Sequence, residues 1–324
     1  MFSYLSSNSF KIPILLSLIP AIATVYYLTN PLSSPPVKEA TSKFITAYST
    51  NLDLQNQWIV SGEQAKKILL QEATLLDTRS FPILKGKISG AKPIKWQDFS
   101  QASHPHGGKL LTDEEVLIKK LQKLGINKNK PVVVFGEPLD GWGEEGRIVW
   151  MLRTLGHNQT VLVDGGYQAL LAAGIEVKNK TQDRGNFVVK QRKEWEVNRE
   201  ELKASLLKQN LVIVDTRELR EYEGQTPYGE DRGGHIPGAV HLHYKELLGA
   251  DGKLLARENI LSILATKGIK KDKLIVSYCT GGVRSAWLTV VLNDLGFQAK
   301  NYPGSMWEWS SFSADIYPLL KSKL

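Results

Sequence analysis

The 324-residue chain contains one cysteine, Cys279, and its neighbours are those a reactive thiol needs. It opens the run Cys279-Thr280-Gly281-Gly282-Val283-Arg284-Ser285. A thiolate is the nucleophilic form, and its pKa falls beside cations and helix N-termini. Arg284 brings a full positive charge. Gly281 and Gly282 permit positive φ, so successive amides can turn toward one point. Thr280 and Ser285 add hydroxyls, and Ser285 is also placed to cap a following helix. The same donors would stabilise a negatively charged sulfur carried on Cys279. The competing reading is an inert cysteine at a strand end.

The flanking elements decide between these readings. Residues 274–278, Leu-Ile-Val-Ser-Tyr, read as a buried strand. Residues 286–292 continue into Leu295-Gly296 as a helix closed by a glycine. A strand, a glycine loop and a helix N-terminus form a backbone cradle for an anion. In parallel sheets, ligand sites lie at the carboxyl ends of the strands. That placement favours the nucleophile.

A repeat runs through the rest of the chain. Ser61 with Gln64, and Asn198 with Glu201, are two capping boxes. Each helix leads into an apolar strand ending in Asp-Thr-Arg: Asp77-Thr78-Arg79 and Asp215-Thr216-Arg217. Residues 111–136 then align on 254–279 without a gap, matching Gly125-Ile126 to Gly268-Ile269 and Phe135 to Tyr278. Leu155-Gly156 matches Leu295-Gly296. We read one domain at 57–177, a polar linker at 178–193 and a second domain at 194–324. The alternation of strands and helices predicts α/β domains, each with a mainly parallel sheet. Gly136 stands where the second copy has Cys279, followed by a loop with Glu137, Asp140, Glu144 and Glu145. That loop lacks a nucleophile and would repel an anion, so the first copy is assigned a structural or interface role.

Composition removes several alternatives. The formal net charge is +8, but the basic residues are scattered, which argues against nucleic acid. A small anionic substrate or an acidic partner fits the charge equally. One cysteine excludes an internal disulfide and a multi-cysteine metal site. The six histidines form no ligand pattern, so no metal or cofactor is expected. Residues 12–28 carry no charge and are largely apolar, and a Pro/Ser-rich linker runs to residue 36. Two readings stand: a signal-anchor crossing a membrane, or a signal peptide cleaved near Ala21-Ile22-Ala23. Both place the domains on the non-cytoplasmic side.

With these motifs in place, the second copy resembles a catalytic rhodanese domain, and the whole chain resembles a tandem-domain sulfurtransferase. The likeness rests on Asp215-Thr216-Arg217, on Arg232-Gly233-Gly234-His235-Ile236-Pro237-Gly238-Ala239-Val240, on the Cys279 loop, and on 302–309. Faded versions stand in the first copy at 88–91 and 163–167. The resemblance implies two tandem rhodanese-like domains of which only the second is catalytic. It implies that the Cys279 thiolate takes the outer sulfur of a small anionic donor, releasing sulfite from thiosulfate or pyruvate from 3-mercaptopyruvate. The persulfide then passes its sulfur to cyanide or another thiophile, which is covalent catalysis in two half-reactions. The amides of Thr280, Gly281, Gly282, Val283 and Arg284 would hold the persulfide, and Arg284 the donor anion. Thr280-Gly281 matches neither the mercaptopyruvate pattern nor the animal thiosulfate pattern, while Val283-Arg284-Ser285 looks like bacterial-type sulfurtransferases. Thiosulfate is the favoured donor. The alternatives are mercaptopyruvate, or a persulfide carrier serving a protein acceptor.

Other residues bear on the site. Arg232 could reach an anionic donor, or order the turn at Pro237-Gly238, as is also read for His235. Asp215 and Arg217 read as a structural ion pair, and Trp307 and Trp309 as packing aromatics of which one could wall the pocket. Cysteine-based phosphatases place five residues between Cys and Arg, whereas four separate Cys279 from Arg284, a smaller cradle suited to sulfur.

Overall fold

The computed structural model describes residues 53–80, 86–175 and 184–321, so the apolar stretch 12–28 lies outside it. Among the described residues, no helix is long and apolar enough to cross a membrane.

The first repeat contains β1 (Ile59–Val60), α1 (Gly62–Leu69), β2 (Thr74–Asp77), β3 (Lys92–Pro93), α2 (Glu114–Lys123), β4 (Val132–Phe135), α3 (Glu144–Thr154), β5 (Thr160–Val163) and α4 (Gly166–Ala172). Its strands form a parallel sheet of order β1-β5-β4-β2-β3. The second contains α5 (Arg199–Ser205), β6 (Leu211–Asp215), α6 (Leu219–Glu223), β7 (Val240–His241), α7 (Arg257–Thr266), β8 (Leu274–Tyr278), α8 (Arg284–Asp294), β9 (Gln298–Asn301) and α9 (Ser305–Ser310). Its parallel sheet has the order β7-β6-β8-β9. Every residue of β2, β4 and β5 is buried, as expected of strands covered by helices on both faces.

The repeat read from sequence recurs in local bonding. Both capping boxes form: Ser61 with Gln64, and Asn198 with Glu201. Thr78 Oγ1 donates to the Phe135 carbonyl at 3.2 Å, and Thr216 Oγ1 to that of Tyr278 at 3.1 Å. Arg79 pairs with Asp77 and Arg217 with Asp215, each arginine also reaching a loop carbonyl, that of Gly86 or Gly234. Asp215 and Arg217 are fully buried, so they form a structural pair at the base of the second site.

The two repeats share one core cluster, built mainly where α3 meets α8. Gly146 permits this closeness, because a Cβ there would lie 2.5 Å from Trp287 Cα. Trp58 and Ile59 amides donate to Asp294 Oδ1, and Tyr244 donates to the Gly141 carbonyl at 2.7 Å. The described part of the connector lies along the first repeat, with Phe187 and Val189 buried in the shared core. These contacts hold the helix that follows Gly136 against the helix that follows Cys279.

Candidate active site

Cys279 follows β8 directly and is 1% exposed. The Gly282 amide donates to its Sγ at 3.1 Å, and the amides of Gly281 and Ser285 also lower its pKa. Gly282 has φ +75°, which turns its amide inward, and any Cβ there would strike Pro303. The outer face of the loop is held from α9: Met306 N donates to the Cys279 carbonyl, and Trp307 N to that of Thr280. With their carbonyls engaged outward, the loop amides are left to face the sulfur. Ser285 is not the helix cap that its position suggested; Val283 occupies that place. The Ser285 hydroxyl lies 3.6 Å from Sγ and 2.6 Å from Asn301 Oδ1, beneath the thiol inside the first turn.

Burial pushes the Cys279 thiol up, but the Arg284 charge and the hydrogen bonds from Ser285 and Gly281 outweigh it, and the net shift is downward. These groups stabilise the thiolate form relative to an ordinary cysteine.

Arg284 is placed differently from expectation. Its side chain is 3% exposed, and both terminal nitrogens hold Glu221, at 2.6 and 2.9 Å. Thr280 Oγ1 is 2.7 Å from Arg284 Nη2 and 2.7 Å from Glu221 Oε1, with Glu230 Oε1 at 3.2 Å. Arg284 lowers the Cys279 pKa through its charge and lines the cleft, with both terminal nitrogens engaged by Glu221. Arg232 is not brought to the site. Its guanidinium donates to the carbonyls of Trp309, Ser310, Phe312 and Tyr317, tying down the C-terminal segment. His235 stacks on Tyr222, its Nδ1 lies 3.0 Å from the Tyr222 carbonyl, and it is not among the residues lining the cleft. Trp307 walls the cleft, whereas Trp309 is buried in the core of the second repeat.

The cleft before Cys279 holds about 250 Å³ and is lined by both repeats. Thr280, Gly281, Val283, Arg284, Tyr228 and Trp307 come from the second. Trp96, Gln97, Trp142 and Glu144 come from the first. The sequence reading placed none of these four residues at the site, though the structural or interface role it gave the first repeat leaves room for them. The available signal was Trp142 itself, an aromatic between Gly141 and Gly143 in a polar loop. Arg147 was also missed. It is fully buried, and from α3 it donates to the Gly282 carbonyl at 3.2 Å and the Gly108 carbonyl at 2.6 Å. Burial lowers its pKa to about 10, against the opposing charges of Glu196 and Cys279.

The equivalent place in the first repeat is filled. A Cβ on Gly136 would collide with the Glu145 carboxyl and lie 2.9 Å from Thr78 Oγ1. Among the described residues, no group of three or more His, Cys, Asp and Glu side chains is placed to hold a metal ion.

The rhodanese-like domain profile matches residues 61–173 and again 198–312. The chain belongs to the rhodanese-like family. A sulfur carrier protein of Thermus thermophilus is 30% identical over 242 residues, 70% of this chain and 83% of the relative. A thiosulfate sulfurtransferase of Azotobacter vinelandii is 29% identical over 244 residues, 74% of this chain and 89% of the relative. A solved structure of EanB with ergothioneine shares the fold with a TM-score of 0.70 at 21% identity, covering 83% of this chain and 71% of that one. The tandem rhodanese architecture and the sulfurtransferase class read from the sequence both stand.

Proposed function

We propose that this rhodanese-family sulfurtransferase carries sulfane sulfur as a persulfide on Cys279, taking it from thiosulfate and passing it to cyanide or another thiophile. The observation that carries this is the thiol set among inward-facing amides, with Gly282 N 3.1 Å from Sγ. In the first half-reaction the Cys279 thiolate attacks the outer sulfur of the donor, and sulfite leaves with the electron pair of the broken S–S bond. The loop amides then hold the negative charge of the persulfide. In the second half-reaction the acceptor attacks the outer sulfur and the Cys279 thiolate leaves. Thiocyanate formation from thiosulfate and from 3-mercaptopyruvate, by wild type and Cys279→Ser, tests the donor.

A second reading, a persulfide carrier loaded by another sulfur donor, is favoured by one observation. Arg284, the one arginine or lysine lining the cleft among the described residues, is already engaged by Glu221. Loading by inorganic polysulfide but not by thiosulfate would select it. For residues 12–28 we propose an N-terminal signal or anchor that places the domains on the non-cytoplasmic side. The mass of the mature protein separates cleavage near Ala23 from retention.

A further inference from the structure

The Ser285 hydroxyl has one proton and two acceptors. Its Oγ lies 2.6 Å from Asn301 Oδ1 and 3.6 Å from Cys279 Sγ, so the shorter bond takes the proton toward Asn301. The other end of the Asn301 amide fixes its orientation. Nδ2 donates to the Gly282 carbonyl at 3.3 Å, and turning the amide over would set two oxygens against each other there. The backbone is held as well. Asn301 closes β9, its N–H donates to the Trp195 carbonyl at 2.9 Å, and its carbonyl accepts from Val197 N at 3.0 Å. Ser285 and Asn301 are both fully buried. Of the two groups that donate to Sγ, the Gly282 amide is fixed in the loop, whereas the Ser285 O–H can turn about its C–O bond.

The charge on Sγ changes through the two half-reactions proposed above. On loading, the thiolate bonds to the outer sulfur of the donor, and the leaving group departs with the electron pair of the broken S–S bond. The negative charge then sits on the outer sulfur, and Sγ is a neutral divalent sulfur, a weak acceptor. On discharge the outer sulfur goes to the acceptor, the electron pair of its bond returns to Sγ, and Sγ is charged and a strong acceptor again. From this geometry we propose that Asn301 is a positioning residue for the reaction, accepting the Ser285 hydroxyl while Sγ is uncharged and releasing it to Sγ when the charge returns. The inference rests on the persulfide reading. The proton stays on Ser285 throughout, and only the direction of the O–H changes. Asn301 thereby keeps the thiolate from being held too well, which would slow its attack on the donor.

The test uses the full chain. Asn301→Ala leaves Sγ as the acceptor for Ser285, and the Gly282 carbonyl keeps Arg147. The acid limb of the iodoacetamide profile of Cys279 is expected to move about one unit to lower pH. Ser285→Ala removes the donor and should move it to higher pH, and adding Asn301→Ala to that variant should change nothing further. Above the acid limb, single-turnover loading by inorganic polysulfide should be about threefold slower in Asn301→Ala, and discharge to cyanide faster. A loop merely loosened by the lost contact with Gly282 would slow both. The charged and titratable groups that act on the thiol are the same in every protein compared: Arg284 with Glu221, Glu230 beside Thr280, Arg147 from α3, and Tyr244. Asn301→Leu, of similar size and without an acceptor, gives the same readouts where Asn301→Ala does not fold. An unmoved acid limb in either Asn301 variant or in Ser285→Ala, or a loss of rate in both half-reactions, would overturn the inference and leave the persulfide reading standing. Failure of wild type to load with sulfur would overturn the persulfide reading, and the inference with it.

Discussion

Arg147 of the first repeat donates to the carbonyl of Gly282, the residue whose amide donates to the Cys279 sulfur. A side chain from the copy without a nucleophile therefore braces the loop of the copy that has one. The two ends of that peptide neighbourhood act together: the guanidinium fixes the carbonyl on one side and the amide faces the thiol on the other.

Arg147→Met should lose both the brace and a buried positive charge near the thiolate. The acid limb of the pH profile for iodoacetamide alkylation of Cys279 is expected to move to higher pH. The loss of rate should be larger on the acid side than on the alkaline side. Stability should fall by about 1–3 kcal/mol, because the Gly108 carbonyl loses the Arg147 donor and the Gly282 carbonyl is left with Asn301 Nδ2 alone. An unchanged pH profile in a folded variant would reduce Arg147 to a packing role.

Glu221→Gln should release the charge of Arg284. Glu221 is fully buried and accepts from Arg284 twice, so the variant keeps one acceptor and removes the neutralising charge. The alkylation profile should shift to lower pH, and KM for thiosulfate should fall while the fold loses roughly 3 kcal/mol. Steady-state kinetics with thiosulfate check the KM. A higher KM would mean that the pair serves the donor as it stands.

Gly136→Cys should not create a second active centre. Its Cβ would meet the Glu145 carboxyl and Thr78, so the variant is expected to lose about 1–3 kcal/mol through overpacking. Intact mass after sulfur loading should still show one added sulfur per chain. Two added sulfurs would show that the first cradle remains open.

Glu145 gives the fold a pH dependence of its own. Burial, reinforced by the neighbouring Glu144 charge, raises its pKa from 4.5 to about 7. The folded state then binds more protons than the unfolded chain between those values, so stability falls as pH rises across that window. The loss approaches about 3 kcal/mol above the upper value, and Glu145→Gln should flatten it. Urea unfolding at several pH values across the window, on both proteins, measures the difference.

What was legible in the sequence was local or repeated. Cys279, Gly282 and Arg284 lie within one short run, so their shared chemistry survives without knowledge of the fold. The Asp-Thr-Arg strand ends and the two capping boxes announce the repeat because each is a contact between near neighbours. The partners of those residues were less visible. Glu221 meets Arg284 across 63 positions, and Arg147 meets Gly282 across 135, contacts that depend on how elements pack. Trp96, Trp142 and Glu144 reach the cleft because α3 lies against α8, which the repeat by itself does not dictate. Arg232 misled for a related reason. A polar arginine beside two glycines looks available to a ligand, yet four backbone carbonyls from 309–317 occupy it.

The central claim is that sulfur travels on Cys279, and intact-mass analysis after incubation with thiosulfate or inorganic polysulfide tests it most directly. Wild type should gain the mass of one sulfur atom, removable by a thiol reductant, and Cys279→Ser should gain none. A folded wild-type protein that gains no sulfur from either donor, or a Cys279→Ser variant that gains as much as wild type, would contradict it.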